Sequence, residues 1–185
     1  MYRDFKNYFN ALTHQLPFLI CNEKVVTMTT FSIFVLMGLE SDIKQKKFDN
    51  EQEKAAINIL YTASWIEASN LRRLKPHGIT PQQFNVLRIL RGSHPKKLML
   101  FDIASRMIDK NSNATRLVEK LRANNLVTRE QCPDNRRQVD INITQKGLNL
   151  LTLIDNENEK WLKTFKNLTN KEFQSLNTLL DKLRG

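Results

Sequence analysis

The residues best equipped for intermolecular chemistry lie close together between Asn111 and Arg137. Ser112, Asn113, Arg116 and Lys120, with Asn111 just ahead of them, offer hydroxyl, amide, guanidinium and ammonium groups. Their spacing places them on one side of a helix. Such groups hydrogen-bond base edges and phosphate oxygens. Further on, Pro133, Asp134 and Asn135 are turn formers. Arg136 and Arg137 follow at the turn's edge, where two cations have nothing to bury against. An arginine presented in that way suits the negative potential of a narrow minor groove. Singly, a polar helix face is an ordinary solvated face and a basic hairpin an ordinary surface. Their order along the chain is what points to nucleic acid.

Other chemistries find little to rest on. The three histidines, His14, His77 and His94, are scattered, and no spacing suggests a metal site. There is no glycine-rich phosphate loop and no nucleophile set near a base. No enzyme, cofactor or metal is therefore expected. The two cysteines, Cys21 and Cys132, make no disulfide framework and fit a reducing cytoplasm. Cys132 lies beside the basic hairpin without a neighbouring cysteine, so redox sensing is disfavoured. The formal net charge is +10, and from Lys96 to Arg137 ten Lys or Arg stand against five Asp or Glu. The excess of positive charge thus coincides with the candidate contact residues, as a polyanionic partner requires.

Several elements must position these groups. In residues 111–125, Ala114, Leu117, Val118 and Leu121 recur at i, i+3, i+4 and i+7, which predicts a helix with one buried face. Asp109 or Ser112 is the candidate cap. Residues 126–132 are β-prone, and Val139, Ile141 and Ile143 alternate with Asp140 and Asn142 as in a half-buried strand. Upstream, Thr80-Pro81-Gln82-Gln83 is a helix start with a capping box. Phe84, Leu87 and Leu90, with Val86 beside them, give its buried face, and Gly92 is expected to end it in the left-handed conformation. A short helix over about 101–107 turns inward Ile103, Ala104 and Met107, and 108–110 form the turn. Two short helices joined this way make a helix-turn-helix, and the hairpin adds a wing.

The flanks read differently. A continuous helix is expected from about 42 to 75, with an apolar stripe through Ala56, Ile59, Leu60, Ala63, Ile66, Leu71 and Leu74 and an end at Pro76 and Gly78. Thr144 and Gly147 start another helix, expected to run to about 167, and Thr169 with Glu172 caps a last one. Phe173, Leu176, Leu180 and Leu183 nearly make a coiled-coil seam. These helices carry more apolar surface than one winged unit covers, so a second copy of the chain is the expected cover, with an intrachain bundle as the alternative. Residues 1–36 differ in character. The uncharged run 25–39 is too short to cross a bilayer, no membrane anchor is expected, and 1–36 are taken as an extension outside the functional domain.

The order of elements, with GITPQQFNVLRIL (78–90), DIASRMIDKNSNATRLVEKLRANNLVTRE (102–130) and DNRRQVDINITQKG (134–147), resembles the MarR family of bacterial transcription regulators. The resemblance covers residues 37–185. It implies a mainly α fold with a small β-hairpin wing: a winged helix-turn-helix over about 79–143, between dimerisation helices at about 42–75 and 144–185. It implies a homodimer on double-stranded DNA with a near-palindromic operator, the reading helices in successive major grooves and the wings in flanking minor grooves. Asp134 matches the aspartate that shapes the wing, Arg136 the arginine that enters the minor groove, and Arg137 its basic neighbour. Ser112, Asn113, Thr115 and Arg116 match positions that touch bases or phosphates. Asn111 and Asn113 depart from the Lys and the Thr or Val often found there, so no operator sequence carries over. The resemblance also implies release of DNA by a small-molecule effector, often an aromatic acid, in a cleft near Tyr61, Trp65 and His77. Dimer core and loop are the competing roles for these three. The rival function is a winged helix that binds protein instead of DNA, which the polar and basic reading face disfavours.

Overall fold

The computed structural model describes residues 38–185, apart from residues 133–134 and the side chains of residues 132–138. The extension 1–36, Met37, Asp134, and the side chains of Cys132, Arg136 and Arg137 therefore lie outside the described residues. By its internal contacts the chain divides into two compact units, residues 1–60 and 61–185.

In the first unit a short helix, α1 (Leu39–Asp42), precedes the start of α2 (Glu51–Leu74). The continuous helix expected from 42 is therefore broken. Asn50 Oδ1 accepts the Glu53 N–H at 2.8 Å, and the Asp49 N–H donates to Glu53 Oε2 at 2.7 Å. The helix is capped afresh at this point. Lys44 adopts a positive φ of 55° in the intervening loop, which no helix accommodates.

The second unit holds the end of α2 and everything after it. A 3₁₀ turn, Lys75–His77, closes on Gly78 at φ 70°, where the missing side chain makes the left-handed conformation accessible. Helix α3 (Pro81–Arg91) starts as the sequence predicts. Thr80 Oγ1 accepts the Gln83 N–H, and Gln83 Oε1 accepts the Thr80 N–H at 2.9 Å. Its apolar residues Phe84, Val86, Leu87, Ile89 and Leu90 are buried. Gly92 ends it in the right-handed region (φ −66°), contrary to the expected left-handed cap, because its N–H bonds back to Arg88 and the turn continues through Ser93.

Strand β1 (Leu98–Met99) is too short to register as a period, so the sequence gives no sign of it. Then come α4 (Leu100–Arg106), α5 (Ala114–Ala123), β2 (Val127–Cys132) and β3 (Asn135–Ile143). The sheet is antiparallel in the order β1-β3-β2, with Leu98 opposite Ile141 and Val127 opposite Ile143. Helix α3 packs on α4, α5, β3 and α6 (Gln145–Asn156) and so forms the hub of the core. Leu74, Leu87, Leu90, Ile103, Met107, Val118, Leu121, Ile141, Leu151 and Ile154 are almost fully buried.

Thr144 joins wing to helix. Its hydroxyl accepts the Gly147 N–H at 3.1 Å and donates to the Asn125 carbonyl at 2.8 Å. A Cβ on Gly147 would lie 2.4 Å from the Leu126 carbonyl oxygen, so α6 meets the wing root more closely than any side chain allows.

The single helix expected from 144 to about 167 is divided. α6 stops at Asn156, α7 (Asn158–Leu162) and a 3₁₀ turn (Lys163–Phe165) follow, and α8 (Asn170–Arg184) closes the chain. Asp155, Asn156 and Asn158 are weak helix formers. Asn158 Oδ1 accepts from Arg73 at 3.1 Å. Arg73 itself stacks 4.5 Å over the Trp161 ring and 5.3 Å over Phe84, tying α2, α3 and α7 together. Burial, and then the like charge of Arg88, lowers the pKa of its guanidinium. In α8, Thr169 and Glu172 form the predicted capping box, yet the helix buries none of its residues. Among the described residues no helix is long and apolar enough to cross a membrane.

Candidate nucleic-acid interface

Helix α5 starts three residues later than the polar run that precedes it. Its cap is Asn113, whose Oδ1 accepts the Arg116 N–H at 3.0 Å, and not Asp109 or Ser112. Asp109 instead shapes the turn. Its Oδ1 accepts the Asn111 N–H at 3.0 Å, and its Oδ2 accepts the Ser112 hydroxyl at 2.7 Å. These two bonds, the hydroxyl first, hold the Asp109 carboxyl below its usual pKa. Asn85 on α3 adds a third anchor, its Oδ1 accepting the Ile108 N–H at 2.9 Å. Lys110 Nζ donates to the Ser105 carbonyl at 2.5 Å and is thereby drawn back to α4. Four consecutive turn residues, 108–111, are therefore pinned by side chains, and α5 is aimed by them. The sequence carried a signal for this, since an aspartate accepting from the N–H two residues on is an Asx-turn.

The burial of α5 follows its period: Ala114, Val118 and Leu121 are buried and Leu117 half-buried. On the outer side Asn111, Asn113, Thr115, Arg116 and Lys120 are exposed, and Ser112 is half-buried. The cations are not equivalent. Arg122 and Arg129 both reach Glu119, at 2.9 and 3.3 Å, and share its single negative charge. Arg116 and Lys120 meet no carboxylate among the described residues. Within α5, the cations without a carboxylate partner thus fall in its first two turns. The backbone of Arg136 and Arg137 belongs to the first residues of β3.

The three residues expected at an effector cleft are not brought together. His77 Nε2 lies 3.3 Å from Glu157 Oε2, and the ring lines a cavity of about 410 Å³ with Ile79, Leu126, Lys146 and Leu150. Trp65 meets the edge of Phe165, centroids 5.7 Å apart, and Phe165 in turn meets Trp161. Tyr61 is exposed. Trp65 and Tyr61 line neither this cavity nor a second one of about 430 Å³, which lies between α2, the start of α3 and the turn before α5. Residues of that second cavity, Glu67, Asn70 and Asn85 among them, carry no motif that the sequence alone singles out.

Residues 79–139, from the start of α3 into the wing, match the model of the MarR family. The HTH-type transcriptional regulator YkoM of Bacillus subtilis is 33% identical over 104 residues, covering 54% of this chain and 66% of that protein. The chain thus spans just under two thirds of the length of that curated relative. Among solved structures, a mutant MarR from E. coli complexed with operator DNA superposes with a TM-score of 0.66 at 23% identity, over 75% of this chain and 99% of that one. BpsR of Bordetella bronchiseptica, whose DNA binding is regulated by 6-hydroxynicotinic acid, gives 0.63 at 23% identity, over 72% and 100%. Residues 79–139, which hold α3, the pinned turn, α5 and the hairpin, thus form a MarR-family domain, and the fold is that of the MarR winged helix-turn-helix regulators.

Proposed function

We propose that the chain is a sequence-specific double-stranded DNA-binding regulator. On this reading it acts in the cytoplasm as a homodimer on a near-palindromic operator, as a repressor that a small molecule releases. The observation that carries this is the charge pattern of α5. Arg116 and Lys120 stand without a carboxylate partner on the exposed side of the helix's first two turns, while the neighbouring Arg122 and Arg129 are drawn together onto Glu119. That is the end of a reading helix that contacts base edges.

Roles divide by which atoms remain available. The cap fixes the direction of the Asn113 amide against the end of α5, and the Ser112 hydroxyl proton is given to Asp109. A bidentate amide contact to adenine needs both oxygen and nitrogen, so Asn111 takes it. Arg116 and Lys120 meet bases or phosphates, Thr115 a phosphate, Arg136 the minor groove and Arg137 the adjoining backbone, with Asp134 shaping the wing. Arg136→Ala is expected to weaken operator binding at least tenfold while the unfolding midpoint stays put. Equal affinity in a mobility-shift titration would remove the minor-groove role.

A protein-binding winged helix has one observation in its favour. Phe101 and Ile108 are 78% and 87% exposed, though both lie off the outer face of α5. Retention of operator DNA by a Phe101→Ser, Ile108→Ser double variant separates the two readings.

A further inference from the structure

The cavity between α2 and the turn before α5 has a size that small organic ligands use, about 430 Å³. Its apolar wall includes Ile66 and the buried Met107, and Asn70 and Asn85 bring amides to it. Its charge is one-sided. Glu67 and Asp109 line it, and no Lys, Arg or His does. Glu67 Oε1 accepts from Gln82 at 3.3 Å, and Oε2 has no partner among the described residues. Each Asp109 oxygen accepts one bond from the turn and keeps a lone pair free. The Asp109 carboxyl, held below its usual pKa, is ionised at neutral pH. Cations adjoin the lining in sequence but are engaged elsewhere: Lys110 Nζ donates to the Ser105 carbonyl, Arg106 to the Ser93 hydroxyl, and Arg73, which donates to Asn70, is stacked on Phe84 and Trp161.

We infer that this cavity is the effector site of the chain and that it takes a small, partly apolar organic cation. Glu67 meets the positive group, and Asp109 transmits occupancy to the reading helix. An aromatic acid would add a third negative charge to a site without a cation, a like-charge arrangement that selects against it. The coupling is built into the wall. Asn85 and Asp109, which line the cavity, are the residues that pin Ile108, Asn111 and Ser112. A cation drawing Asp109 toward itself loosens its bonds to Asn111 and Ser112 and so re-aims the start of α5. Occupancy and DNA affinity are then linked reciprocally.

The site itself does not depend on the DNA-binding reading; only the coupling does. The test therefore begins without DNA. Full-length protein is titrated calorimetrically with three probes of one shape, 2-naphthamidine (cationic), 2-naphthamide (neutral) and 2-naphthoate (anionic). Naphthamidine is expected to bind at least tenfold more tightly than naphthoate, and Glu67→Gln to weaken naphthamidine about tenfold with naphthamide unchanged. Naphthoate binding as tightly as naphthamidine, no binding by any probe, or a Glu67→Gln variant that binds naphthamidine like the parent overturns the site. The coupling is read separately, by titrating operator DNA at saturating naphthamidine. A loss of DNA affinity of fivefold or more supports it. Unchanged affinity sinks the role of Asp109 while leaving the site standing. Failure to bind DNA even without probe sinks the proposed function and not the cavity.

Discussion

Asn113 and Asp109 divide the work that aims α5. Asn113 Oδ1 closes the first turn of the helix. Asn113→Ala is therefore expected to cost about 0.5–2 kcal/mol in urea unfolding, and Asn113→Ser a fraction of that. A cost as large for serine as for alanine would show that the amide matters for something other than the cap. Asp109 makes a prediction about pH. Its folded pKa is depressed, so its contribution is fully present above the ordinary aspartate value, about 4. It is lost only as pH falls through the lower folded value. Between pH 5.5 and 8 the Ser112 and Asn111 amide shifts in an NMR titration should not follow a carboxyl, and in stronger acid they should move together. A shared midpoint above pH 4.5 contradicts the two bonds. The sequence offered Asp109 or Ser112 as the cap and Asn113 only as a contact residue. It missed the role of Asn113 because the cap follows from the helix's first residue, which the polar run 111–113 does not mark.

Elements were legible wherever a cap and a period coincide. α3, α5, α6 and α8 each begin at a Thr or Asn whose side chain accepts the N–H three residues on. The breaks were harder to see. At Glu157 the apolar period runs on from Ile154 to Trp161, so periodicity argues for continuity where the helix ends; at Asn50 a cap starts the helix ahead of an apolar stripe that begins only at Ala56. β1, two residues long, is defined by its partner Ile141 and Asp140 and not by its own composition. α6 meets the wing root closely at Gly147. Gly147→Ala puts a methyl group into the Leu126 carbonyl and the Ile143 side chain, and should cost about 1–3 kcal/mol or more. It should also weaken DNA binding through the displaced wing. A thermal midpoint within a degree of the parent would mean that the two elements separate easily.

At the level of the whole molecule, the winged unit is self-sufficient and the flanks are not. α8 buries nothing, with Leu179 and Leu183 64% and 67% exposed, and Trp65 and Leu71 on α2 are exposed too. Such apolar faces need cover, and the proposed homodimer supplies it. Leu179→Glu with Leu183→Glu is expected to turn a dimer into monomers at micromolar concentration in sedimentation velocity, and to lower operator affinity with it. A double variant that sediments like the parent moves the interface elsewhere. The most direct test of the central claim is the salt dependence of binding to the DNA upstream of the chain's own gene, followed by fluorescence anisotropy against a scrambled duplex. If paired reading helices and wings meet roughly 6–10 phosphates, affinity should fall by about 10³–10⁵ between 50 and 200 mM salt. The cognate duplex should stay well ahead of the scrambled one throughout. Equal affinity for both duplexes, or no binding at low salt, contradicts the account.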